Sequence, residues 1–259
     1  ATFGGKSYFL LIVNIFLMTL IIYQLFKFID KIYTNKSFYI TNLIKLFIFI
    51  ILFSWVQHEN ITWGFQSQFF LAYLVPLFSF YLLAVFKETG EDKYFFYSCI
   101  VAALSAYTMA NGVLASLLLI VIAFLFRLAK IKVFIALCVA ILNYIVFFNS
   151  YKSIDRQGNI IQYLLDAPID FIAYVLTYLG SPFFYLFGHN IFIAQLFGFL
   201  LIFGMLILTV KYFRAILTNY FLISIVMEQV YILATALITA SGRFSFGIEQ
   251  AISSRYTTP

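Results

Sequence analysis

The chain has 259 residues, of which 64% are hydrophobic and 10% charged, and it carries a formal net charge of +6. A soluble domain carries about 25% charged residues, so this composition and the mean hydropathy of +1.02 exclude a water-soluble fold, which would lack the polar surface to cover itself. The positive charge fits Lys and Arg anchoring loops at a membrane face rather than a nucleic-acid partner.

In chain order, apolar runs near the ~20-residue length that crosses a bilayer predict eight spans. They lie at 8–26, 38–56, 66–86, 94–110, 113–129, 132–149, 191–210 and 216–238. The expected fold is an all-α polytopic transmembrane bundle forming a single integral-membrane domain over 1–259. Asn111-Gly112, between two short spans, reads as a tight turn or as the break of a re-entrant pair. Residues 150–190 read as a periplasmic interfacial segment, because their apolar stretch 169–187 is interrupted by Gly180 and Pro182. Cys99 and Cys138 fall inside apolar runs and read as small hydrophobes. The start at Ala1 and the end at Thr257-Thr258-Pro259 suggest a piece of a longer protein.

Loop charge orients the map. One set of alternating loops holds Lys27, Lys31, Lys36, Lys87, Lys93, Arg127, Lys130, Lys132, Lys211 and Arg214. The other holds Lys6, Lys152, Arg156, Arg243 and Arg255. The richer set belongs in the cytoplasm, which puts both ends of the sequence on the periplasmic side of a bacterial inner membrane.

The outer side carries the unusual residues. Its first loop, Trp55 to Gln68, offers His58 and Glu59 for proton or cation chemistry, and Gln57, Asn60, Gln66 and Gln68 as amides suited to sugar hydroxyls. An aromatic belt with ordinary polar loop residues accounts for the same pattern. Asn111 faces a ligand or simply turns the chain. Glu228 sits mid-span, where a carboxylate is costly unless paired, protonated or facing water. Helical spacing puts it in a stripe with Ser224, Tyr231, Thr235 and Thr239. That stripe reads either as the wall of a hydrated cavity or as an interhelical hydrogen-bond seam. After the last span the chain becomes polar and Gly-punctuated from Gly242 to Tyr256, and there Arg243 and Arg255 are candidate phosphate contacts. Snorkelling at the interface is the plain alternative. Asp155, Asp166 and Asp170 are candidate bases or solvated loop acids. The spacing shows no zinc or haem site and no nucleotide-binding glycine loop.

Three blocks carry a resemblance: Trp63-Gly64-Phe65-Gln66-Ser67-Gln68-Phe69-Phe70, Tyr107-Thr108-Met109-Ala110-Asn111-Gly112, and Gly242-Arg243 through Ser253-Ser254-Arg255-Tyr256. They resemble bacterial polytopic membrane proteins associated with surface polysaccharides, and through them the GT-C superfamily of glycosyltransferases. The resemblance implies transfer of a sugar from a polyprenyl-phosphate donor, a lipid-linked substrate, to a cell-surface glycan or glycolipid at the periplasmic face. Membrane lipids are then the other partner. In that family the catalytic acid sits in a first outer loop that would precede this sequence, so no catalytic residue is carried over. Arg243 and Arg255 match a phosphate clamp by chemistry and side, and Tyr256 is a further candidate substrate contact. An O-antigen or capsule polymerase and a flippase of lipid-linked sugars are the competing readings.

Overall fold

The computed structural model describes residues 8–34, 37–63, 66–150, 163 and 165–253. Among them the secondary structure is entirely helical. The helices are α1 (Tyr8–Ile32), α2 (Phe38–Leu52), α3 (His58–Thr62), α4 (Ser67–Thr89), α5 (Asp92–Ser105), α6 (Val113–Leu125), α7 (Lys130–Ser150), α8 (Pro168–Leu179), α9 (Ser181–Leu186), α10 (Ile191–Lys211), α11 (Phe213–Thr218) and α12 (Tyr220–Arg243).

Every predicted span corresponds to a helix. Five of them, α1, α4, α7, α10 and α12, are long and apolar enough to cross a membrane. The others fall short of the ~20 residues a straight crossing needs: α2 has 15, α5 has 14 and α6 has 13. Local chemistry sets these limits. The α4–α5 junction turns at Gly90, whose φ of 76° is the left-handed conformation that suits glycine at a helix C-terminus. The α5–α6 junction is tight, since a Cβ on Gly112 would lie 1.9 Å from the Ser105 carbonyl oxygen. Asn111-Gly112 therefore lies in a compact turn, built on a short 3-10 helix at Ala110–Gly112.

The chain divides into two compact units, Ala1–Ser150 with Arg214–Tyr231, and Tyr151–Phe213 with Ile232–Pro259. The first unit is knit by polar contacts of the kind that replace the hydrophobic effect inside a bilayer. Ser79 and Ser98 bond reciprocally, each hydroxyl donating to the other's carbonyl at 2.9 and 2.8 Å. Asn143 of α7 donates to the Ala102 carbonyl and to the Ser116 hydroxyl, both at 3.4 Å. The start of α12 is capped by Asn219, whose side-chain oxygen accepts from the backbone N–H groups of Phe221 and Leu222. It is fastened by rings: Phe221 against Phe28 and Tyr81, and Tyr220 against Phe126.

Ion pairs gather at one end of this unit. Lys31 pairs with Glu88, Lys45 with Asp30, Lys93 with Glu91 and Lys132 with Asp92. These residues stand where α1 and α4 end and where α5 and α7 begin, at the loops of the richer basic set, except Lys45, which lies within α2. Cys99 is buried and Cys138 half-buried, both as free thiols.

In the second unit, α8 and α10 pack antiparallel with almost no side chain between them. A Cβ on Gly198 would lie 2.0 Å from the Leu176 carbonyl oxygen, and one on Gly180 would lie 1.8 Å from that of Ala194. Ala194 and Gly198, four residues apart, form the small-xxx-small pattern that lets helix backbones touch. Asn190 caps α10 by accepting from the N–H groups of Phe192 and Ile193.

Candidate functional site

Asn14, Gln57, Asn60, Gln66 and Asn111 are buried amides at the end of the first unit opposite its ion pairs, while Gln24 and Asn143 are buried within α1 and α7. Asn14, near the start of α1, is fully buried. Its Nδ2 donates to the carbonyls of Asn60 and Trp63, each at 2.9 Å. One side chain thus ties α1 to α3 at Asn60 and to Trp63 just after that helix. Gln57 and Asn60 are buried beside each other, with Asn60 Nδ2 directed at Gln57 Oε1 at 3.4 Å. Gln66 is also buried, and its side-chain carbonyl has no partner among the described residues.

The α12 face runs antiparallel to α4. Ser224 Oγ donates to the Phe80 carbonyl at 3.1 Å, and Tyr231 Oη donates to the Ala72 carbonyl at 2.8 Å. The second contact has a specific cause. Pro76 lies inside α4 and has no N–H, so the carbonyl four residues back, that of Ala72, loses its helical donor. Tyr231 supplies the replacement from the neighbouring helix, which is how proline is tolerated inside membrane helices. Tyr231 also accepts from Asn111 Nδ2 at 3.1 Å. The turn before α6, the middle of α4 and α12 are joined through one phenolic oxygen.

Glu228 lies between these two contacts on the same helix and faces the Ala72–Phe80 stretch of α4. It is 8% exposed, and its Oε2 has no partner among the described residues. Of the stripe anticipated along α12, Ser224, Glu228, Tyr231 and Thr235 are buried and Thr239 is half-buried.

The remaining candidates are placed as follows. Asn111 is buried on Tyr231. His58 is half-buried at the start of α3, and its carbonyl accepts from the Thr62 hydroxyl. Gln68 is half-buried in the first turn of α4. The Glu59 side chain lies outside the described residues, as do Gly64, Phe65, Asp155, Arg156, Arg255 and Tyr256. Arg243 ends α12 and is exposed. The structure thus brings Asn111 and Glu228 to the Tyr231 region of α12, and Gln66 to the buried amides near Asn14.

In the second unit the segment after α12 is tied down rather than loose. Phe244 packs against Tyr163, Phe171 and Tyr174, with ring centroids 4.8, 5.9 and 6.3 Å away. Tyr185 Oη donates to the Ile252 carbonyl at 2.6 Å. Aromatic side chains inside a segment that reads as polar hold it in place.

Asn14 and Pro76 organise the polar end of the first unit, and neither stands out among the sequence candidates. The signal was present: a polar side chain or a proline within a span needs a partner, because no water is available. Chemically, the arrangement offers buried amides that donate and accept and a buried carboxyl. Among the described residues no group of three His, Cys, Asp or Glu could hold a metal ion. No protein-family model, curated protein or solved structure matches the chain.

Proposed function

We propose that the protein acts as a membrane glycosyltransferase, moving a sugar from a polyprenyl-phosphate donor to a cell-surface glycan or glycolipid. The observation that carries this reading is the set of buried amides, Gln57, Asn60, Gln66 and Asn111, at the end of the first unit remote from its ion pairs. Sites that read hydroxyls need buried donors and acceptors, which reject ligands unable to pair with them. The reading also draws on the resemblance in the three sequence blocks. In it all eight apolar segments lie across the inner membrane, the ion-paired end faces the cytoplasm and the amide end faces the periplasm. Residues 150–190 lie at the outer interface. Phosphate binding is assigned to Arg243 and Arg255 on guanidinium chemistry alone. The test is deletion of the gene, followed by mass spectrometry of surface glycan and lipid-linked precursors. Loss of one defined sugar or branch is the expected result. Single-repeat glycans would indicate a polymerase instead, and unchanged glycan would end the reading.

A second reading, export of lipid-linked sugars, is favoured by one observation, the buried Glu228 carboxyl, one oxygen of which has no partner among the described residues. Intramembrane carboxyls mark proton relays in transporters. Here Glu228→Gln would stop export and accumulate complete precursors on the cytoplasmic side, whereas a transferase defect accumulates the unmodified acceptor.

A further inference from the structure

Three clefts open at the ion-paired end of the first unit, and their charge balance separates them. One of about 410 Å³ is lined by Asp30, Tyr33, Thr34, Phe38, Thr41, Asn42 and Lys45, and its cation is already paired with its acid. A second, of about 300 Å³, contains Lys87, Asp92, Arg127 and Lys132. There Lys132 is engaged with Asp92 and lies over the Phe86 and Phe95 rings.

The third is the largest of these, about 710 Å³, and differs in kind. Its two cations, Arg127 and Lys130, stand against a wall of Phe124, Leu125, Val133 and Leu217, with no acid in the lining. Among the described residues neither cationic side chain has a hydrogen bond or ion pair. Arg127 is held in the left-handed backbone region at φ 51°, a conformation unusual for a residue with a side chain. The cleft also borders the first turn of α7, a helix of 21 residues whose N-terminal dipole favours an anion. Phe124 is 73% exposed at its edge, so the apolar wall continues onto the outer surface of the helices.

We infer that this cleft binds the phosphate headgroup of an anionic membrane lipid, with Arg127 and Lys130 on the phosphate and the acyl chains along Phe124, Leu125 and Val133. Two cations with no acid in the lining of this cleft, although Arg127 also borders the cleft that holds Asp92, stand on an apolar wall and are complementary to that amphiphile. A soluble phosphate would use the cations and leave the wall wet.

The test uses the full chain in nanodiscs of phosphatidylcholine doped with phosphatidylglycerol, with retained lipid counted by native mass spectrometry. The wild type is expected to retain phosphatidylglycerol over phosphatidylcholine. Arg127→Gly combined with Lys130→Gln is expected to weaken retention by about 30-fold, from ~1 kcal/mol per cation near a lipid surface. Glycine suits the backbone at 127, so Arg127→Gly alone serves if the pair of substitutions impairs folding, with an expected loss of about 5-fold. Lys27→Gln, outside the cleft, should leave retention unchanged. Equal retention of both lipids by the wild type would overturn the proposal, and so would an equal loss in Lys27→Gln. Displacement by inorganic phosphate as effective as by the lipid would overturn the lipid assignment.

Discussion

Replacing Tyr231 by Phe should weaken the first unit chiefly through a carbonyl on another helix. The substitution keeps the ring, which sits 6.4 Å from that of Tyr73, and deletes only the oxygen. Ala72 then has no donor, because Pro76 cannot supply one. A stranded buried carbonyl costs about 1–3 kcal/mol, while interhelical hydrogen bonds in membranes average about 0.6 and reach about 1.7. The Ala72 contact belongs near the upper end of the second range, about 1.5 kcal/mol, because no helical alternative exists. Losing the Asn111 contact adds about 0.5 kcal/mol, for a total near 2 kcal/mol. Pro76→Ala restores an N–H at the position that serves Ala72. In that background Tyr231→Phe should cost only about 0.5 kcal/mol, a coupling of about 1.5 kcal/mol. Reversible unfolding by SDS in mixed micelles, followed by tryptophan fluorescence, measures all four corners of the cycle. If the two substitutions add within about 0.5 kcal/mol, the proline and the tyrosine are not partners and the argument is refuted.

Three further outcomes are expected. Gly198→Ala puts a Cβ 2.0 Å from the Leu176 carbonyl oxygen and should cost about 1–3 kcal/mol by forcing α8 and α10 apart. Gly204→Ala on the same helix meets nothing within 4 Å and should be neutral or stabilising by up to ~1 kcal/mol, so equal losses on SDS unfolding would contradict the packing argument. Asn14→Leu removes a donor from the Asn60 carbonyl and from that of Trp63, which still accepts from the Gln66 N–H, and should cost about 1–3 kcal/mol. Its amide exchange should rise first across residues 55–63, and protection there equal to wild type would count against Asn14 as the clasp. Single cysteines at Trp63 and Lys130, in a chain lacking Cys99 and Cys138, should react with impermeant maleimide from opposite faces of sealed vesicles. Labelling of both from one face would break the orientation.

The helices were legible because apolar length is a strong signal, and because basic residues cluster where helices end. Their limits were less so. The first span reads to 26, yet α1 continues to Ile32, since Lys31 finds Glu88 and Lys27 lies over the Tyr23 ring. The chain can therefore stay helical past its charges. The α5 helix stops at Ser105 because the approach of Gly112 requires a turn there, and hydropathy does not register a backbone contact. Glu228 was visible as a mid-span acid. Its surroundings were not, because the Pro76, Ala72 and Tyr231 relation joins residues 159 positions apart, and no local pattern encodes such a pairing. Asn190 as the cap of α10 is local and could be read directly.

The glycine contact between α8 and α10 has a mechanical consequence. Along its 21 residues α10 buries only Ala194 and Gly198, both in its first half. From Gly198 to Lys211 the helix runs about 20 Å, with Leu206, Leu208 and Val210 all more than half exposed. That stretch buries no residue fully, so in a bilayer lipid would cover much of it. The Ala194–Gly198 contact then serves as a pivot, and the local hydrocarbon thickness sets the angle about it. Reclining by ~10° in a thinner bilayer would carry the Lys211 end sideways by about 3–4 Å, so this helix would report membrane thickness through its tilt.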